Sequence, residues 1–140
     1  MRRALLCVLL LFWTALAQAA PSDRKVALVI GNGAYTGTSP LPNPPGDARL
    51  MARSLRDLGF DVIERTDLGR RDMLRAIVEF GDKLEEGGVG LFFYAGHGVQ
   101  VGGANFLIPI DADIKREEHV EAEAVDVNAV LRTMEAARNR

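Results

Sequence analysis

Apolar and polar positions alternate along this chain with two periods. Residues 25–31, "KVALVIG", form an unbroken apolar, β-branched run stopped by glycine, the pattern of a strand buried on both faces of a parallel sheet. Residues 32–46, "NGAYTGTSPLPNPPG", hold four of the six prolines and read as a long loop. In "DARLMARSLRDLG", Ala48, Met51, Leu55 and Leu58 recur at helical spacing and Gly59 is the stop, so a helix is expected from near Asp47. "FDVIE" (60–64) is a second strand. A second helix follows over about 70–85, with Leu74, Ile77, Val78 and Leu84 on one face. "VGLFFYAG" (89–96) is a third strand. "VQVGGANFLIPI" reads as a hairpin turning at Gly102-Gly103, and "KREEHVEAEA" as a charged loop. A last helix, 127–138, carries Val127, Val130, Leu131, Met134 and Ala137 on one stripe. Strands alternating with helices predict an α/β fold with a mainly parallel sheet and right-handed crossovers. The chain stops where a fourth strand is due, so the fold is expected to be incomplete on its C-terminal side.

The first twenty residues stand apart. "MRR" is a positive n-region, "ALLCVLLLFWTALA" an apolar h-region, and "AQA", ending at Ala19, a small-x-small cleavage site. Residues 1–19 therefore read as a secretory signal peptide, too short and wrongly flanked for a spanning helix. Cys7 lacks a lipobox-like context. The expected location is periplasmic or secreted, with no membrane span after cleavage. Losing Arg2 and Arg3 leaves 15 basic against 19 acidic residues and moves the formal charge from −2 to −4. That acidity argues against nucleic acid or an anionic membrane as partner. The only cysteine, Cys7, leaves as well, and with it any disulfide, thiolate metal ligand or cysteine nucleophile.

Candidate chemistry gathers at the carboxyl ends of the strands, where open α/β sheets bind ligands. His97 sits between Gly96 and Gly98 at the end of the third apolar run. A histidine there suits general acid–base work or merely caps the strand by hydrogen bonding. No G-x-S-x-G nucleophile elbow is present. His119 lies in the charged loop, and nothing in the spacing supports a two-histidine metal site. Asp111 and Asp113 either bind a hard cation such as calcium or end the hairpin as solvated carboxylates. "GNGAYTG" departs from the dinucleotide fingerprint, because its third glycine falls one residue late and a proline-rich loop follows it. Asp47 is either an N-cap or a carboxylate at the rim of the functional edge.

Taken together, "KVALVIGNGAY", "LPNPPGDARLMARSLRDLGFDV" and "GLFFYAGHGVQVGGANFLIPIDADI" resemble the p20-type domain of caspase-like cysteine peptidases, in particular their bacterial metacaspase-like members. The resemblance covers about residues 25–138, within a domain taken as 25–140. It implies a three-layer caspase-like fold and a cysteine endopeptidase with a His–Cys dyad acting on protein or peptide substrates, without a cofactor. His97 matches the catalytic histidine. The backbone N–H of Gly98 matches an oxyanion-hole donor, and Asp47 an acidic residue that receives a substrate Arg or Lys. Ala95 stands in the substrate-binding stretch where a serine is common in eukaryotic members, and Pro44 stands near a position that carries cysteine in them. In caspases the histidine lies about 50 residues upstream of the nucleophile. The resemblance thus places the cysteine past residue 140, and the 140 residues alone are expected to be inactive. A non-catalytic binding or regulatory domain on the same fold is the alternative.

Overall fold

The computed structural model describes residues 24–84 and 88–138, the side chain of Arg138 excepted; the expected signal peptide lies outside them. Strand β1 (Lys25–Gly31) is followed by helix α1 (Pro44–Asp57), strand β2 (Asp61–Thr66), helix α2 (Arg70–Lys83) and strand β3 (Val89–Ala95). These three strands form one parallel sheet in the order β2-β1-β3. The chain leaves β1 toward β2 and returns across it to β3. Right-handed crossovers in opposite directions put α1 and α2 on opposite faces.

Burial follows that geometry. Val26 to Ile30 are wholly buried, as the unbroken apolar run required. Alternate residues feed two cores: Val26, Leu28 and Ile30 pack with Met73, Ile77 and Phe80 of α2, whereas Ala27 and Val29 pack with Ala48, Ala52 and Leu55 of α1. Helix α4 (Val127–Arg138) joins α2 on its face through Val130 and Ala137. The result is helix, sheet, helix: a three-layer α/β fold. Among the described residues β3 forms one edge of the sheet.

A second, antiparallel sheet continues from β3. It comprises β4 (Gly98–Val101), β5 (Ala104–Leu107) and β6 (Val125–Asp126), in that order. Gly102 and Gly103 have φ of 56° and 82°, the two positive values that a type I′ turn demands. Phe106, Ile108, Val120 and Ala124 form a small core beneath it with Tyr35.

Three expectations need correction. Helix α1 begins at Pro44, and the prolines form its first turn: Pro needs no N–H there and its φ is already helical. The charged stretch is partly ordered into a 3₁₀ turn (Glu117–His119), helix α3 (Val120–Glu123) and β6. Leu58, Val78 and Leu131 lie outside the cores at 64%, 60% and 50% exposure; Ala52, Ala76 and Phe80 take the inward positions instead.

Candidate active site

The carboxyl ends of β1 and β3 lie side by side, with Gly31 opposite Ala95. Beyond them Asn32 donates its N–H to Ala95 O at 2.8 Å. The Asn32 side chain is fully buried: its Oδ1 accepts from Leu68 N at 2.9 Å, and its Nδ2 donates to Leu68 O at 3.1 Å and Ile108 O at 3.4 Å. One side chain thus ties the end of β1 to the segments after β2 and β5. Asp67, at φ 54°, accepts from Gly33 N at 2.8 Å and Ala34 N at 2.9 Å; aspartate tolerates this left-handed conformation. The proline-rich loop is folded back by bonds from Leu41 N to Gly33 O and from Thr36 N to Ile110 O.

That folding brings Ser39 to His97. His97 Nε2 lies 2.9 Å from Ser39 O. A carbonyl only accepts, so Nε2 carries the proton and Nδ1 of the neutral ring presents its lone pair. The Tyr35 ring leans on the imidazole at 4.6 Å between centroids, tilted by 54°.

The histidine backbone is fixed by two tyrosines. His97 N–H donates to Tyr35 Oη at 2.8 Å. Tyr94 Oη lies 3.0 Å from His97 O and 2.9 Å from Ile108 O, so its one proton serves those carbonyls. The 3.1 Å contact between the two hydroxyls is then donated by Tyr35. The chain of donors runs from His97 N–H through both phenols and back to His97 O. Burial, and next Tyr35 beside it, push the Tyr94 hydroxyl far above the ordinary phenol range, so it stays protonated as a donor.

Gly98 follows directly. The bond from Ile108 N to His97 O sets the phase of the β4–β5 ladder. Gly98 and Leu107 are therefore a non-hydrogen-bonded pair, and both N–H and C=O of Gly98 point away from β5. Gly98 is exposed, at the edge of its sheet among the described residues. An oriented imidazole and an outward N–H from consecutive residues suit acyl transfer, which needs a proton shuttle beside a donor to the tetrahedral oxygen.

The other expected residues are placed less closely. Asp47 lies in the first turn of α1, exposed, with its own N–H bonded to Asn43 O; Asn43 holds the cap position, so Asp47 is not the N-cap. No ion pair or side-chain hydrogen bond engages its carboxylate among the described residues. Ala95 is half-buried and contributes the carbonyl that Asn32 uses. Asp111 caps α2 by accepting Arg70 N–H at 2.9 Å, and Asp113 pairs with Lys115 at 3.1 Å. His119 interacts with Lys115 N and Arg116, not with His97. Among the described residues no group of three or more His, Cys, Asp or Glu is arranged to hold a metal ion, and no helix is long and apolar enough to cross a membrane. Sequence reading missed Tyr35, Tyr94 and Ser39, whose contacts with one another or with His97 cross 58 to 62 residues apart from the local Tyr94–His97 bond.

Comparison with known proteins identifies the family. The mucosa-associated lymphoid tissue lymphoma translocation protein 1 of Homo sapiens and its homolog in Mus musculus are each 41% identical to this chain over 88 residues. That match takes in 63% of this chain and spans only 11% of either relative's length. Residues 24–137 match the caspase domain of peptidase family C14, and the chain belongs to that family.

Proposed function

We infer that this caspase domain is the histidine-bearing part of a cysteine-type endopeptidase that cuts protein or peptide substrates after Arg or Lys. The observation that carries the reading is the pair of consecutive residues described above: His97, oriented by Ser39 O, and Gly98, whose N–H the ladder leaves unspent. In the reaction Nδ1 of His97 takes the proton of the thiol, and the resulting thiolate attacks the scissile carbonyl, whose electrons move onto oxygen. Gly98 N–H stabilises that oxyanion. Protonated Nδ1 of His97 then gives its proton to the departing amine, and the same nitrogen takes a proton from the water that hydrolyses the thioester.

The thiolate comes from outside the described residues, since Cys7 is the sole cysteine of the 140. We place it in a segment past residue 140, about 50 residues after His97, beside the edge strand β3. Residues 25–140 by themselves then bind but do not hydrolyse. The Asp47 carboxylate, exposed and without an ion pair among the described residues, supports preference for a basic side chain, with Ala95 beside the path. No cofactor enters the scheme, and the leader-like first nineteen residues support action in the periplasm or outside the cell.

The test expresses the chain together with a cysteine-bearing downstream segment and supplies peptides with Arg, Lys or Asp before the scissile bond. Cleavage after Arg and Lys is expected, and His97→Ala lowers the rate by about 10²–10⁴-fold. Undiminished cleavage by His97→Ala overturns the reading. Absence of cleavage in every form turns it to a binding or regulatory domain.

A further inference from the structure

Strand β4 starts at the residue after His97 and is the free edge of its sheet among the described residues. The ladder phase that turns Gly98 outward does the same for Gln100, which opposes Asn105 in the next non-hydrogen-bonded pair. Four backbone groups, N–H and C=O of Gly98 and of Gln100, thus face away from β5. Such a row is a template for one more strand. Gly98, Val99 and Gln100 are all exposed, and Gly98 has no side chain to hold a second backbone off. Beside them lies a cavity of about 240 Å³ lined by Thr38, His97, Val99, Ile108, Ile114 and Val120.

We propose that the outer edge of β4 binds the leaving-group side of an extended peptide substrate as an added strand, and that the adjoining cavity receives the side chain of the second residue after the scissile bond. This rests on the peptidase reading above. One anchor sets the register: the scissile carbonyl accepts Gly98 N–H, with the departing nitrogen beside His97. In the proposed mode the peptide beyond that nitrogen runs along β4 from Gly98 toward Val101, parallel to it; an antiparallel strand would put the acyl side there instead and leave methylation of the second residue's nitrogen without effect.

Parallel pairing fixes the remaining contacts. The first residue after the scissile bond aligns with Gly98, the second with Val99 and the third with Gln100. The second residue donates its N–H to Gly98 O and accepts Gln100 N–H. Aligned residues of neighbouring strands share a face, so its side chain points where Val99 points, into the cavity. The lining is apolar apart from Thr38 and His97, which selects Val, Leu or Ile at that position and rejects a carboxylate.

The experiment titrates the ¹⁵N-labelled 140-residue chain with a blocked peptide carrying Arg, Ser and Leu in that order at its centre. The amide signals of Gly98 and Gln100 are expected to move and saturate. Methylating the peptide nitrogen of the Leu, and separately replacing Leu by Asp, should each weaken binding about tenfold, the scale of one good hydrogen bond. Because only the peptide changes, folding of the protein is untouched. A Gln100 amide that stays still while His97 responds, equal affinity of the methylated peptide, or no binding at millimolar concentration overturns the proposal. Response along β4 with no cleavage once a thiol segment is supplied leaves this site standing and removes the peptidase reading.

Discussion

The hydroxyl of Tyr35 receives the backbone N–H of His97 at 2.8 Å while its ring leans on the imidazole of the same residue. One side chain therefore holds both the backbone and the ring of the candidate proton shuttle. Tyr35 is almost wholly buried at 5% exposure, so no water readily replaces its hydroxyl. Tyr35→Phe keeps the ring contact and orphans the His97 N–H. The expected cost is about 1–3 kcal/mol, the penalty of a buried donor left unpaired. Urea unfolding checks the cost, and the His97 amide proton should move upfield.

Tyr94 adds a pH dependence. Its folded-state pKa is raised, mainly by burial, so the folded protein keeps that proton to higher pH than the unfolded chain does. The stabilisation is fully present below the unfolded value of about 10 and is lost as pH rises above it, because the unfolded chain then binds fewer protons. Melting temperature should be insensitive to the ionisation of Tyr94 near neutrality and fall from about pH 10 upward. In Tyr94→Phe the alkaline fall should be shallower, on a lower plateau that reflects the lost bonds to His97 O and Ile108 O. An identical alkaline slope in the variant contradicts this.

Much of the frame was legible in the residues. The run from Lys25 to Gly31 is a strand with those bounds, because burial on both faces leaves no polar position to blur it. Gly102-Gly103 marked the hairpin because both turn positions need positive φ. His97 fell at the carboxyl end of β3, as the glycine-stopped apolar run indicated. The clamp on it was not legible. Tyr35 stood in a proline-rich loop and Tyr94 in a strand, and only tertiary folding brings their hydroxyls together across 59 residues. The start of α1 was missed because prolines signal a break inside a helix but fit its first turn. The orienting atom, Ser39 O, is backbone, and residue type gives no sign of it.

Asn32 is the next test of the frame. Among the described residues it is the sole buried polar one, and its carboxamide bonds Leu68 N and O and Ile108 O. Asn32→Leu leaves Leu68 N unpaired in a site closed to water, at about 1–3 kcal/mol, whereas Leu68 O and Ile108 O keep the donors Ile110 N and Tyr94 Oη. Asn32→Asp replaces the amide donor by a buried carboxylate facing two carbonyls, and should be worse at neutral pH than in mild acid. Denaturant midpoints at the two pH values distinguish the variants.

Gly96 separates space from backbone preference. A Cβ built there would lie 2.5 Å from Tyr35 Oη and 2.6 Å from Tyr94 Oη, on a residue with φ 156°. Gly102, at φ 56°, has nothing within 4 Å. Gly102→Ala should therefore cost only the left-handed penalty of about 1–2 kcal/mol and leave His97 unchanged. Gly96→Ala must push both hydroxyls aside, breaking the chain of donors that fixes His97, and should cost more and alter the His97 amide and ring signals together. The clash is with the two hydroxyls and, at 2.8 Å, with Tyr94 Cζ, so removing the hydroxyls relieves the larger part of it. Gly96→Ala combined with Tyr35→Phe and Tyr94→Phe should be less destabilised than the sum of the separate changes, by an interaction energy of about 1–3 kcal/mol. Strict additivity across that cycle would show that the glycine and the tyrosines act on His97 independently.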